Sequence, residues 1–175
     1  MESADRPASI MPRVAAHLPA CAELARSTHR VDQYPVVLQD DVGDFLAPDA
    51  QLAAWVCVLD AAVVGHVALH RLTSTPVADA LSASRHDGSR FGVVSRLMVA
   101  PHARGRGLGM TLLDTAVRAA HARELHPALD VVTSYASAIR LYERAGWQRI
   151  GVVSIPMPNG RLVDEYVFVG PSPPR

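Results

Sequence analysis

The chain has 175 residues, 49% of them apolar, and its 17 basic and 17 acidic residues cancel. That composition favours one globular domain with a sizeable core, and zero net charge removes any global attraction to nucleic acid or to an anionic membrane. The two cysteines, Cys21 and Cys57, show no C-x-x-C spacing, which argues against a disulfide framework or a zinc site and suits a cytoplasmic chain.

In chain order, residues 1–8 are polar and read as a loose N-terminus, with no basic region and apolar core of a signal peptide. Ile10 to Val14 reads as a short edge strand interrupted by Pro12. Leucines and alanines recur at helical spacing from Leu18 to Arg26, with Pro19 in the first turn. Tyr34-Pro35 marks a turn, and Gln39-Asp40-Asp41 is placed to cap a short helix through Leu46. Ala54 to Leu59 and Val63 to Leu72 are strand candidates joined by Asp60-Ala61-Ala62. Residues 73–90 are polar with little periodicity and read as a long loop over a site. Phe91 to Val99 is an apolar central strand. Leu108 to about Glu124 carries apolar residues at 108, 112, 113, 116, 117 and 120, one face of a 3.6-residue repeat. Leu129 to Thr133 is a short buried strand, parallel to the central one by βαβ order. Ser137 to Ala145 is a helix ended by Gly146. Trp147 to Ile155 and Leu162 to Val169 flank Asn159-Gly160, a strong hairpin signal. Residues 171–175 form a Pro-rich tail. No apolar run approaches the ~20 residues of a membrane span.

The informative stretch joins the central strand to the main helix: Val99-Ala100-Pro101-His102-Ala103-Arg104-Gly105-Arg106-Gly107-Leu108-Gly109. Glycines at 105, 107 and 109 remove Cβ atoms where the backbone turns, so a ligand can approach closely. The helix start presents unpaired N–H groups and the positive end of its dipole, and Arg104 and Arg106 add charge. Together these suit a phosphate or pyrophosphate. A Walker loop needs a lysine, and the chain has none. The G-x-G-x-x-G fingerprint fails from Gly105, where Met110 takes the third glycine position, and from Gly107, where Leu112 does.

What remains, Arg104-x-x-Gly107-x-Gly109, resembles the R/Q-x-x-G-x-G/A signature of the GNAT superfamily of N-acetyltransferases. Leu141-Tyr142-Glu143-Arg144-Ala145-Gly146-Trp147 resembles a second motif of that family. The likeness spans nearly the whole chain in element order and is sharpest from about 91 to 169. It implies an α/β fold: a mixed, mostly antiparallel sheet with a central parallel strand pair and flanking helices, in one domain over residues 9–170. It also implies acetyl-CoA as co-substrate, its pyrophosphate on Arg104, Gly105, Arg106, Gly107, Leu108 and Gly109. The pantetheine arm would pair with the backbone of Leu97, Met98 and Val99 by strand addition, one N–H there polarising the thioester carbonyl. In this family the central pair splays apart to admit that arm.

The resemblance makes the Tyr142 hydroxyl the general acid for the departing thiolate; at an ordinary pKa of about 10 it is protonated at neutral pH. A tyrosine packing its ring with a wet hydroxyl is the other reading. Relatives often carry Asn seven positions earlier, bonded to the pantetheine arm. Here Tyr135 stands there, and Ser134 or Ser137 is left to substitute or to cap the helix. Some relatives place a carboxylate on the central strand, but this chain has Val94-Ser95-Arg96. Asp130, on the next strand, is the candidate base; the alternative is a strand-end acid pairing an arginine. His66 and His70, four apart on one strand face, are each either a base or a solvated-face residue, and His86 and His102 read as loop surface. The implied function is direct acetyl transfer to an amine, a small molecule first and a protein amine second, in a chain that is a candidate homodimer. A non-catalytic acyl-CoA-binding module is the alternative.

Overall fold

The computed structural model describes residues 7–38, 41–84 and 90–173. In order, the elements are β1 (Ser9–Pro12), α1 (Leu18–Asp32), α2 (Gly43–Leu46), β2 (Gln51–Leu59), β3 (Ala62–Arg71), α3 (Thr75–Ala83), β4 (Phe91–Val99), α4 (Leu108–His121), β5 (His126–Val132), α5 (Ala136–Arg144), β6 (Gln148–Pro156) and β7 (Leu162–Val169), with single 3-10 turns at Ala15–His17 and Pro101–Ala103. Among the described residues the strands form one seven-stranded sheet ordered β1-β2-β3-β4-β5-β7-β6. The β4–β5 pair is parallel, and the β1–β2, β5–β7 and β6–β7 pairs are antiparallel. This is the mixed, mostly antiparallel sheet that the sequence motifs imply. No described helix is long and apolar enough to cross a membrane.

The chain divides into two compact units, residues 1–68 with 96–114 and residues 69–95 with 115–175. In the first, β1 lies antiparallel on β2 with Ser9 opposite Val58 and Pro12 opposite Trp55. Its core includes Cys21, Leu24 and Ala25 of α1, Leu46, Val56, Cys57, Val64, Met98, Leu112 and Leu113. A Cβ at Gly65 would lie 2.8 Å from Leu112 Cδ1 and 3.3 Å from the Met98 carbonyl oxygen. Glycine there lets α4 settle directly on β3. The turn between β2 and β3 puts Asp60 and Ala61 at φ 49° and 64°. That left-handed pair is the geometry that closes a two-residue hairpin, here without glycine or asparagine.

In the second unit, strand alternation sorts side chains onto two faces. Ala128 of β5 and Val167 and Val169 of β7 form a cluster with Val77 and Leu81 of α3. On the opposite face, Phe168 meets the Tyr142 ring of α5 at 6.0 Å, and Trp147 meets it at 6.1 Å. The β4–β5 register runs from Phe91–His126 to Val93–Ala128, while β5 continues to Val132 alongside β7.

One sequence expectation is overturned here: residues 73–90 are not a continuous loop, because α3 occupies Thr75–Ala83. Pro76 sits in its first turn, and Val77 and Leu81, one helical turn apart, are its buried residues. Two apolar anchors on a short helix suffice when a sheet face receives them, and they leave almost no periodic trace. Residues 85–89, His86 among them, lie outside the described residues, as do residues 1–6 of the expected loose N-terminus, residues 39–40 of the expected α2 cap and residues 174–175 of the tail. Helix α1 runs on to Asp32, six residues past the sequence estimate, where Gln33 closes it in the left-handed conformation (φ 59°) with its N–H on the His29 carbonyl.

Candidate active site

In the first unit, β4 delivers the chain to the glycine loop. Gly105 and Gly107 have φ of 77° and 76°, and a Cβ on either would meet nothing within 4 Å. Their role is therefore conformational, and they leave open space above the backbone. Helix α4 follows, with Thr111 N bonded to the Gly107 carbonyl at 3.2 Å. The N–H groups of Leu108, Gly109 and Met110 thus belong to the open first turn, where a helix has no internal acceptors for them. Arg106 is exposed at the loop's tip, and Leu108 is buried at its root. Leu97 and Val99 are half-buried and Met98 is buried, with Thr28 Oγ1 of α1 at 3.7 Å from its sulfur. The loop, the open helix start and the end of β4 are thus brought together within one unit.

Arg104 is tied to two elements. Its guanidinium is not a loose positive charge: Nη1 donates to Asp32 Oδ1 at 3.1 Å, Nη2 donates to Asp32 Oδ2, and Nε donates to the Val99 carbonyl at 3.1 Å. The backbone N–H groups at the start of α4 add to whatever attraction the loop has for an anion.

The histidines also differ from expectation. His66 is wholly buried and His70 only 6% exposed, so neither is on a solvated face. Arg13 can only donate, so its Nη1, 3.0 Å from His66 Nε2, makes that nitrogen the acceptor. Nδ1–H then donates to the Arg96 carbonyl at 2.9 Å. Burial, opposed by that bond and helped by the charges of Arg13 and Arg96, lowers the His66 pKa to about 4. It is a neutral core histidine with both nitrogens engaged. Arg96 lies at φ 52° within β4, a left-handed position costly for a side chain. Its Nε donates to the Phe45 carbonyl, and its guanidinium lies 4.9 Å from the Phe45 ring centre, which ties α2 to β4. In the second unit His70 Nδ1 is 3.1 Å from Ser95 Oγ. No group of His, Cys, Asp and Glu among the described residues could hold a metal ion.

The remaining predicted residues lie in the second unit. Tyr142 is buried, 8% exposed, between Trp147 and Phe168. Tyr135 is half-buried at the N-cap of α5, where the Ile139 N–H bonds its carbonyl. Asp130, half-buried, faces the α3 side with Ala128. Its partner is one the sequence reading missed. Glu165 of β7 is opposite Val132, diagonal to Asp130 on the same face, and 8% exposed. Burial, then a hydrogen bond with Asp130 and the charge of Asp130, push the Glu165 carboxyl up to about 9. At neutral pH Glu165 therefore keeps its proton. A signal for Glu165 was available: alternation along Leu162–Val169 places it with Val163, Val167 and Val169, an acid on the apolar face. A cavity of about 610 Å³ in the first unit, lined by His17, Glu23, Arg30, Ala62 and His102 among others, includes none of the predicted site residues.

The acetyltransferase (GNAT) family model matches residues 18–147, and the chain belongs to that family. No curated protein matches the chain by sequence. Among solved structures it is similar to the ribosomal-protein-S18-alanine N-acetyltransferase of Escherichia coli, with 17% identity, TM-score 0.67 and 94% of each chain covered. It is similar to NAA60 of Arabidopsis thaliana bound to acetyl-CoA, with 20% identity and TM-score 0.68, over 93% of this chain and 98% of that one. It is also similar to Naa50 of Arabidopsis thaliana bound to the bisubstrate analogue CoA-Ac-MVNAL, with 19% identity and TM-score 0.65, over 94% and 99%. At these identities the likeness is one of fold.

Proposed function

We propose that the protein transfers an acetyl group from acetyl-CoA to the amine of a small molecule by direct attack. The observation that carries this reading is the Gly105–Gly107 loop, left-handed at both glycines, open above them and running into the first turn of α4. Backbone N–H groups from Gly105 to Gly109 and the Arg106 side chain would hold the diphosphate. The backbone of Leu97 to Val99 would bond the pantetheine amides.

In the reaction the acceptor enters as an ammonium and must lose a proton before its lone pair can attack. Asp130, on the face of the sheet opposite the Tyr142 ring, receives that proton through a water relay. The amine nitrogen then bonds to the thioester carbon, and a backbone N–H in Leu97 to Val99 stabilises the oxyanion. Collapse breaks the C–S bond, and Tyr142 gives its hydroxyl proton to the CoA thiolate. An acidic side chain at the end of that relay suits an acceptor that arrives as an ammonium. Two free, buried cysteines suit a reducing cytoplasm.

The test is thermal unfolding with saturating acetyl-CoA, followed by thiol release with a panel of amines and peptide N-termini. Ligand at ~100 times its Kd adds about 2.7 kcal/mol, and at ~2–4 °C per kcal/mol for a chain of this size the midpoint rises several degrees. No shift in a folded sample refutes the reading. Turnover with peptides alone moves the acceptor to a protein amine.

A further inference from the structure

We propose that Asp32 is a positioning residue for the diphosphate loop. By holding Arg104 at the end of α1 while Arg104 Nε bonds the Val99 carbonyl, it fixes the root of the loop before ligand arrives. The proposal rests on reading that loop as the acetyl-CoA site.

Asp32 stands where a helix by itself disfavours an acid. It is the last residue of α1, at the negative end of the helix dipole, which repels a carboxylate. It is not the cap: the helix is closed by Gln33, whose N–H bonds the His29 carbonyl at 2.9 Å. What Asp32 does have is a two-pronged bond to Arg104. A guanidinium offers donors in one rigid plane, and here three of its nitrogens are committed to two elements, α1 and β4. Arg104 is thus a strut between two helix and strand ends.

The position of the strut explains why one is needed. The segment before it is anchored, with Ala103 buried and its N–H on the Ala100 carbonyl at 2.8 Å. Directly after it come Gly105, Arg106 and Gly107, with open space over both glycines. Glycine has the largest conformational freedom to lose, so a loop of this composition presents aligned N–H groups only if its ends are held. The pair itself is at the surface, the two side chains 40% and 37% exposed. A pair so exposed adds little to global stability, so its effect falls on the loop.

Two physical effects oppose each other when Asp32 is neutralised, and their sum has a readable sign. Removing a negative charge close to an anion site tightens diphosphate binding, while loosening the strut weakens it by losing preorganisation. The proposal requires the second to win. Acetyl-CoA binding is measured by calorimetry for wild type, Asp32→Asn and Asp32→Glu. The expected result for Asp32→Asn is weakening by about five- to tenfold, near one decade on the affinity scale, with an unfolding midpoint close to wild type and partial recovery in Asp32→Glu. Pantetheine, which lacks the diphosphate, should displace acetyl-CoA from wild type and Asp32→Asn with the same inhibition constant. Equal or tighter acetyl-CoA binding by Asp32→Asn overturns the proposal, as does a matching loss of pantetheine affinity. A wild-type protein that binds no acetyl-CoA refutes the function itself, and the strut falls with it.

Discussion

Replacing Glu165 with Gln should change how stability depends on pH, and the direction follows from its site. The side chain is 8% exposed beside Asp130, and burial first, then the hydrogen bond and charge of Asp130, push its carboxyl up from 4.5 to about 9. Between those values the folded chain keeps a proton that the unfolded chain has released. The folded state therefore binds more protons, and unfolding free energy falls as pH rises. The contribution is complete below about 4.5 and is lost as pH climbs through about 9. One proton limits the slope to about 1.4 kcal/mol per pH unit. His66 acts in the opposite sense at lower pH: with its pKa lowered from 6.5 to about 4, stability rises with pH across that interval. The Glu165 effect is therefore clearest from about pH 6.5 to 8.5, where the limit is about 3 kcal/mol. At ~2–4 °C per kcal/mol, the wild-type midpoint falls by up to about 6–12 °C over that range. Glutamine keeps the shape and an N–H donor for Asp130 but cannot ionise, so its midpoint should be nearly flat there. Circular dichroism melts at constant ionic strength provide the comparison. Parallel pH slopes for the two proteins would refute the raised Glu165 carboxyl.

Two further substitutions probe the transfer site. Tyr142→Phe removes the hydroxyl and keeps the ring packed on Trp147 and Phe168. Steady-state kinetics should show kcat down by about a hundredfold, the low end for general acid catalysis because thiolate leaves readily, with calorimetric acetyl-CoA affinity retained; unchanged kcat removes the acid role. Gly107→Ala creates no clash but holds alanine at φ 76°, a cost of about 1–2 kcal/mol. It should lower the melting midpoint by a few degrees and weaken acetyl-CoA binding together, and an unaltered midpoint would argue against the left-handed geometry.

The legible parts of the sequence were those where one local rule sufficed. The β4–loop–α4 order followed from an apolar run, spaced glycines and a 3.6-residue repeat, and the β6–β7 hairpin from Asn159-Gly160. Helix α3 was not legible because Val77 and Leu81 are its only buried residues, and the sheet face that receives them is remote in sequence. Asp60-Ala61 hid its turn geometry because neither residue favours positive φ as glycine does. The site followed the same division. Arg104 was recognised as part of an anion loop, but its partner lies 72 residues earlier, and no spacing rule connects them. Glu165 could be flagged by parity as an acid on an apolar face. Its pairing with Asp130 needed the β5–β7 register, which is a tertiary fact. Both misses are charges placed against a local preference, one at the wrong end of a helix and one on the wrong face of a strand. Such local conflicts are where function is to be sought first.

Strand parity in the second unit has a chemical consequence. Leu129 is opposite Phe168, whose ring packs on Tyr142, while the next residue, Asp130, is opposite Val167 on the α3 face. The proposed acid and the proposed base are therefore supplied from opposite faces of one sheet. A one-residue slip of β5 would exchange the faces of Leu129 and Asp130, burying the carboxylate against the aromatic cluster and leaving Glu165 without it. The register of β5 on β7 thus sets which face carries Asp130 as well as the packing of the core.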